Sequence, residues 1–488
     1  MAGLFGCGLL GAAGSVAVAV GAARPGSPFT TDRPDAWYFG TAPGTGSQWL
    51  GLLLVWGGVL AMLAAWYCLA RYRAAGHRPG PLWVVLAAWT VPLAVAPPLL
   101  SRDVYAYAAY GRLAAGGASP YTHAPASLGP SPLLSLVGPL WRGSHAPYGP
   151  LFVDLAGLVS GRSVPATVVG FRVLAVVGLA LVAAGVGPLA RSVGGDPGRA
   201  FALAACNPLV LLYLVGGAHN DALMLGLLVV GVAVGRRHPA AGVLLCALAA
   251  AVKAPAFLGV LYVGWTWPVP ARSGPLERRW LRLAAAVGLG AAAVVAITAA
   301  SGLGWGWLTD LSTPGTVMSW LDPATAVGRA VGDVPAVRDL FLALAGVAAV
   351  LLLARSDRLG VPAAVGWSLL AFAVAGPVVW PWYETWGLVF LAVAATARAP
   401  AGNGVQWWDT AARWVVLVLS AVGCFATVPG SLHLSPDGGV AVAAGLVVVG
   451  AGLALFVVGQ RRLAGWPRSS WSTGPCPVDG VGVTSTGG

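Results

Sequence analysis

Charge is scarce in this chain. Of its 488 residues only 9% are Asp, Glu, Lys or Arg, 58% are hydrophobic, and the mean hydropathy is +0.79. A soluble domain carries roughly 25% charged residues, so a solvated globular fold is excluded. Lysine is almost absent: Lys253 is the sole lysine among 28 basic residues, and the rest are arginine. With abundant Ala, Gly and Val, this reads as the codon usage of a high-GC genome and says little about function. The six cysteines (Cys7, Cys68, Cys206, Cys246, Cys424 and Cys476) show no CxxC or CxH spacing, which removes a disulfide framework and a zinc site. No Walker A loop occurs, so ATP-driven pumping has no support, and no internal repeat is visible. Strict alternation of apolar and polar residues is also lacking, which leaves helices rather than a barrel as the membrane-crossing element.

What the sequence does have is long apolar runs. Candidate spans fall near 8–23, 48–70, 81–100, 165–190, 200–216, 222–235, 240–252, 255–267, 283–301, 338–354, 361–379, 385–398, 414–430 and 439–458. Crossing a bilayer takes about 20 apolar residues, and several of these runs are shorter, so the pair around "AAAVKAPAF" also reads as one broken or re-entrant unit. The expectation is an all-α polytopic membrane protein with about 13–14 transmembrane helices. No basic residue precedes the first run, which favours a first transmembrane helix over a cleaved leader. Residues 1–468 are expected to form one integral-membrane domain, and the Gly-, Ser- and Pro-rich 469–488 a disordered cytoplasmic tail.

The net charge of +12 does not point to nucleic acid, because the cations sit in short loops between apolar runs. One side collects Arg71, Arg73, Arg78, Arg191, Arg199, Arg236, Arg237, Arg272, Arg278, Arg279, Arg282, Arg355, Arg358, Arg398, Arg413, Arg461, Arg462 and Arg468; the other has half as many, with Arg172 inside a span. The positive-inside bias assigns the richer side to the cytoplasm. The stretches "SRDVYAYAAYGRLAAGGASPYTHAP" (101–125), "GGAHNDALM" (216–224), 302–323 and "VVWPWYETW" (378–386) then converge outside it, at a plasma membrane.

These external stretches carry the candidate chemistry. Read as a helix, 103–115 places Asp103, Tyr107 and Tyr110 on one face and suits an amphipathic helix on the membrane surface. Asp103 is either a dipole-stabilised first-turn residue paired with Arg102 or a carboxylate that takes a proton from a substrate hydroxyl. His219, Asn220 and Asp221 form either a capped hairpin or a sugar-hydroxyl site; they are too few for a metal site. Lys253 interrupts an apolar stretch before Pro255, and is either a snorkelling anchor or a functional charge. Arg102, Arg112 and Arg329 are alternatives for that role. Tyr121, His123, His145 and Tyr148 lie in proline-ordered loops, and Trp380, Trp382, Tyr383 and Trp386 suit sugar stacking or an interfacial aromatic belt. Glu384, one of two glutamates, is a candidate acceptor ligand or second carboxylate. A secondary transporter would place ionisable groups mid-span and show related halves; polar residues gathered in external loops favour an enzyme.

The stretches 101–123, "HAPYGPLF", "NPLVLLYLVGGAHNDALMLGLLV" and "AAVKAPAF" resemble the actinobacterial polyprenyl-phosphate-mannose-dependent α-1,6-mannosyltransferases, of the GT-C class of integral-membrane glycosyltransferases. The resemblance spans roughly residues 50 to 430. It implies a GT-C-like bundle with an external catalytic loop at about 101–164, Asp103 as the catalytic carboxylate, and inverting transfer of mannose from polyprenyl phosphate to a lipid-linked mannan or glycolipid acceptor. The sugar rests on the resemblance; another polyprenyl-phosphate sugar fits the same spacing. Many relatives carry paired acids where this chain has Asp103, Val104 and Tyr105, which argues against a two-carboxylate metal site there. No cofactor is implied, and a divalent-metal requirement stays open.

Overall fold

In the computed structural model, residues 2–24, 27, 48–71, 80–161, 163–267, 276–316, 322–397 and 406–426 are described. The expected span 439–458, part of 414–430 and the tail 469–488 lie outside them. Among the described residues the chain is helical throughout, with no strand. In chain order the helices are α1 (Ala2–Ala22), α2 (Gln48–Arg71), α3 (Gly80–Val95), α4 (Asp103–Ala115), α5 (Pro132–Leu136), α6 (Pro139–Arg142), α7 (Pro150–Val159), α8 (Val164–Arg191) and α9 (Pro197–Ala204). A π-helical segment, Val210–Gly216, leads to α10 (Asp221–Gly235), α11 (Pro239–Val252), α12 (Leu258–Trp265), α13 (Leu276–Ser301), α14 (Pro323–Val331) and α15 (Val334–Ala354). Then come α16 (Ser356–Leu359), α17 (Val361–Ala375), α18 (Pro381–Ala394) and α19 (Gln406–Gly423).

The protein is an all-α polytopic membrane protein. Among the described residues five helices are long and apolar enough to cross a bilayer, and a bent pair, Val210–Gly216 with Asp221–Gly235, turns by 118°. Among the described residues several of the other expected spans are realised as shorter helices. Thus α10, α11, α17 and α18 run to only 15, 14, 15 and 14 residues.

Small residues let the long helices approach closely, as lipid-embedded packing requires. A Cβ on Gly14 of α1 would lie 2.6 Å from the Gly58 carbonyl oxygen of α2, and one on Gly178 of α8 would lie 2.3 Å from the Ala222 backbone of α10. One buried charge ties two broken segments together. Arg172 of α8 donates to the carbonyls of Leu93 in the last turn of α3, of Ala96 and Pro97 just beyond it, and of Gly216 at the end of the π segment. The break between α11 and α12 follows from Pro255, which lacks an N–H and clashes with a preceding helical turn. Lys253 is consequently extended, at φ −153° and ψ 124°, and the freed Val252 carbonyl accepts from the Gly149 N–H at 3.1 Å.

The helix predicted from Asp103 is present as α4, but it does not lie on a surface. Val104, Tyr105, Ala106, Tyr107, Ala108, Ala109, Tyr110 and Gly111 are all buried, because α5, α6 and α7 fold over the face expected to meet water. Tyr110 Oη donates to the Ser144 carbonyl at 2.9 Å, and Tyr121 Oη to the Tyr148 carbonyl at 2.9 Å. A Cβ on Gly111 would come within 2.4 Å of both the Ala156 carbonyl oxygen and Ser160 Oγ. Gly111→Val is therefore expected to push α4 from α7 and to cost about 2 kcal/mol, the usual scale of core overpacking. Gly157→Ala, whose Cβ meets nothing nearer than 3.5 Å, is expected to be near neutral. Thermal unfolding of the detergent-purified protein checks both.

Candidate active site

The first turn of α4, the turn between the π segment and α10, the break after α11, and the first turns of α18 meet at one end of the bundle. Asp103 opens α4, where a helix N-terminus favours a carboxylate, and its backbone N–H donates to Ser101 Oγ at 3.0 Å. Its side chain is nearly buried. Asp103 Oδ1 accepts from Trp141 Nε1 at 3.0 Å, and Oδ2 faces His219 Nε2 at 3.7 Å.

His219 is held from three sides. Its Nδ1 lies 2.7 Å from the Tyr213 carbonyl oxygen; a carbonyl only accepts, so Nδ1 carries the proton and Nε2 is turned toward Asp103. The ring stacks on Trp382 at 4.3 Å and 26°, and Trp382 stacks on Trp380 at 4.8 Å. The turn that presents it is tight: a Cβ on Gly217 would lie 2.5 Å from the imidazole, and Ala218 adopts a φ of 53°, in the left-handed region. Leu100, just ahead of Asp103, has a φ of 64°. Non-glycine residues seldom adopt this conformation, and they cluster at functional sites.

Asp221 and Lys253 form a buried ion pair, with Nζ 2.8 and 3.0 Å from the two carboxylate oxygens. Trp386 Nε1 donates to Asp221 Oδ1 at 2.6 Å. Lys253 is enclosed by rings, with Nζ 4.4 Å from the Tyr383 centroid, 5.2 Å from Trp386 and 5.9 Å from Tyr148, a cation–π arrangement. Asn220 Oδ1 accepts from Tyr107 Oη at 3.4 Å. Tyr107 packs edge-on against Tyr148 at 5.1 Å. Burial, and then the nearby Asp103, push the Tyr107 and Tyr110 phenols above their ordinary range, so both stay neutral hydroxyls.

A cavity of about 340 Å³ opens beside this cluster. Its polar end is Lys253 with Trp141, Tyr148, Tyr383 and Trp386; its far walls are apolar, including Phe257, Leu261, Leu342 and Phe372. Trp141 serves both sides, with its ring on the cavity and its N–H on Asp103. The external 302–323 stretch contributes Leu311 to the wall. Arg338 fastens it by donating to the Gly315 carbonyl at 2.6 Å and to the Pro377 carbonyl at 3.1 Å.

Comparison with known proteins identifies the family. The family described as "Alpha-(1->6)-mannopyranosyltransferase, N-terminal domain" matches residues 8–269, more than half of the chain. The chain belongs to the alpha-(1->6)-mannopyranosyltransferase family. It is thus a membrane-embedded glycosyltransferase. Among similar proteins, alpha-(1->6)-mannopyranosyltransferase A of Mycobacterium tuberculosis is 34% identical over 380 residues, which is 72% of each chain. A probable alpha-(1->6)-mannopyranosyltransferase of Mycolicibacterium smegmatis is 32% identical over 450 residues, 80% of this chain and 78% of the relative. Alpha-(1->6)-mannopyranosyltransferase B of Corynebacterium glutamicum is 27% identical over 463 residues, 84% and 76% of the two chains. No solved structure matches the chain.

In this mannopyranosyltransferase-family protein the residues expected from sequence divide into three groups. Asp103, Tyr107, Tyr148, His219, Asn220, Asp221, Lys253 and Trp382 come together. Arg102 is half-buried immediately before α4, and Tyr121 lies behind Tyr148, bonding its carbonyl. Two residues stand apart. His123 is exposed, with Nδ1 near Thr122 Oγ1 and the Ser119 carbonyl. Glu384 turns away from Asp221, and a Cβ on Gly423 of α19 would lie 3.3 Å from its Oε2. Trp141 was not anticipated. Its partner is 38 residues away in sequence, and an isolated Trp in a proline-rich loop gives no hint of it. Among the described residues no group of three or more His, Cys, Asp or Glu gathers as metal ligands do.

The ion pair yields a prediction. Lys253→Met leaves Asp221, which is fully buried, without its counter-charge, and is expected to cost about 3 kcal/mol. Lys253→Met combined with Asp221→Asn is expected to recover at least half of that loss. A double-mutant cycle on thermal unfolding measures the coupling.

Proposed function

We propose that this chain transfers mannose from a polyprenyl-phosphate donor to a lipid-linked mannan-type or glycolipid acceptor. The new linkage is α-1,6, and the reaction runs with inversion at the anomeric carbon on the extracytoplasmic face of the plasma membrane. The observation that carries this reading is the cavity: an apolar chamber with a single ammonium group among aromatic rings at one end, beside a carboxylate. An isoprenoid chain suits the apolar walls, and its phosphate suits Lys253.

In one displacement an acceptor hydroxyl oxygen attacks the anomeric carbon and the bond from that carbon to the phosphate oxygen breaks. Polyprenyl phosphate leaves with the electron pair, and Asp103 takes the hydroxyl proton. No acid is needed for a leaving group that is already a phosphate. Lys253, its position fixed by Asp221 and by the rings around it, stabilises the charge that grows on the departing phosphate, as preorganised cations do. Trp141, which donates to Oδ1, orients the Asp103 carboxylate. Asn220, whose Nδ2 is buried with no hydrogen-bond partner among the described residues, offers a donor for a sugar hydroxyl. The membership in the mannopyranosyltransferase family and the names of its relatives support mannose as the sugar and α-1,6 as the linkage. The arginine bias among the loops supports the extracytoplasmic face.

The test uses purified protein with polyprenyl-phosphate-[¹⁴C]mannose and a short α-1,6-mannoside acceptor. The parent is expected to transfer label, and Asp103→Asn to lose about 10²-fold or more in rate, the usual size of a general-base effect. A folded Asp103→Asn variant that transfers at the parental rate removes Asp103 as the base. A parent that transfers nothing removes the donor or the acceptor.

A further inference from the structure

A second built cavity lies at the other end of the bundle. Its volume is about 210 Å³, and it is formed where the end of α2, the start of α9 and α19 meet. The position follows from chain direction. From Arg199 the chain runs through α9 and the π segment before reaching His219. Arg413 Nη2 donates to the Ala395 carbonyl at 3.4 Å, just past the far end of α18; that end is about 20 Å from the first turn that carries Trp382, at 1.5 Å per residue. The loop charges assign this end to the cytoplasm.

Three guanidinium groups, Arg71, Arg199 and Arg413, line the cavity, and no carboxylate does so among the described residues. Asp196, the nearest acid in sequence, caps α9 by accepting from the Arg199 backbone N–H at 2.9 Å. The floor is apolar, with Leu203 and Leu417, and Trp414 stands exposed at the rim. The walls are fixed in place: Trp66 Nε1 of α2 donates to the Ala202 carbonyl of α9 at 3.0 Å, and the Arg71 guanidinium lies 4.2 Å over the Tyr67 ring. Arginine forks match phosphate oxygens in geometry as well as charge, and basic pockets between helices at the cytoplasmic membrane surface are suited to anionic headgroups.

We infer that the cavity between α2, α9 and α19 binds a phosphate group, with an anionic phospholipid headgroup as the occupant that its lining favours. The arginines take the phosphate, and Leu203, Leu417 and Trp414 take the apolar part of the lipid. A free phosphate would use the arginines but not the floor. The site is separate from the one that holds Asp103 and Lys253, so occupancy here does not depend on the proposed mannosyl transfer.

The test is native mass spectrometry of the full chain in detergent, titrated separately with dioctanoyl phosphatidylglycerol, dioctanoyl phosphatidylcholine and inorganic phosphate. The parent is expected to retain one phosphatidylglycerol. Arg71→Gln with Arg413→Gln is expected to weaken that binding about thirty-fold, from the usual contribution of each arginine at a membrane surface. Should the double variant aggregate, Arg413→Gln alone serves, with a loss of about five-fold. Inorganic phosphate that binds as tightly as phosphatidylglycerol, with the same arginine dependence, supports the phosphate site and makes its source soluble. Equal retention of phosphatidylglycerol by parent and variants, or equal retention of phosphatidylcholine and phosphatidylglycerol by the parent, overturns the inference.

Discussion

Four backbone carbonyls converge on the Arg172 guanidinium, and the placement of the candidate-site end depends on it. Backbone groups in a membrane interior must be satisfied within the protein, so a helix that stops inside the bundle needs a donor. The two segments that stop, α3 and the π-helical stretch after α9, lead within a few residues to Asp103 and to His219. Arg172 joins their ends, and the Leu99 N–H reinforces the join by donating to the Gly216 carbonyl at 3.0 Å. Beyond it both chains pass through a left-handed residue, Leu100 in one and Ala218 in the other. A strained conformation persists where its surroundings over-determine it, and these carbonyl bonds do so here.

The Lys253–Asp221 pair acts in a similar way one layer further in. Desolvating two charges offsets much of their attraction, so the pair is weak as a source of stability. Its effect is positional. It connects the break after α11 to the first turn of α10, and through Trp386 it reaches α18. The ammonium is thereby held at the mouth of an otherwise apolar cavity, rather than free to follow its long side chain to water.

Much of this was legible in the sequence, and the parts that were not have physical causes. The helical membrane fold follows from hydropathy, and the start of α4 at Asp103 follows from the polar run after an apolar one. Lys253 and Asp221 each stood out as isolated charges in apolar surroundings, but their pairing is a tertiary fact that spacing does not carry. The surface-helix expectation for 103–115 failed because periodicity describes one helix and not what packs around it: Tyr105 and Ala106 are buried as well as Tyr107. Glu384 illustrates a signal that was present. At 100° per residue, Trp382 and Trp386 share a face and Glu384 falls opposite, which is where it is found.

The lengths of α10, α11, α17 and α18 have a consequence for the surrounding lipid. At 1.5 Å per residue, helices of 14 or 15 residues reach about 21–23 Å, whereas a bilayer's hydrocarbon core is about 30 Å thick. The long α8 and α13, with 28 and 26 residues, span that thickness with length to spare. The bundle is therefore lower along the helices that bear Asp221, Lys253 and Trp382 than along its flanks. Where lipid meets a short helix, local thinning of the bilayer is one response to such mismatch. The short helices end inside the protein: Asp221, Lys253 and Trp382 at their polar ends are all buried.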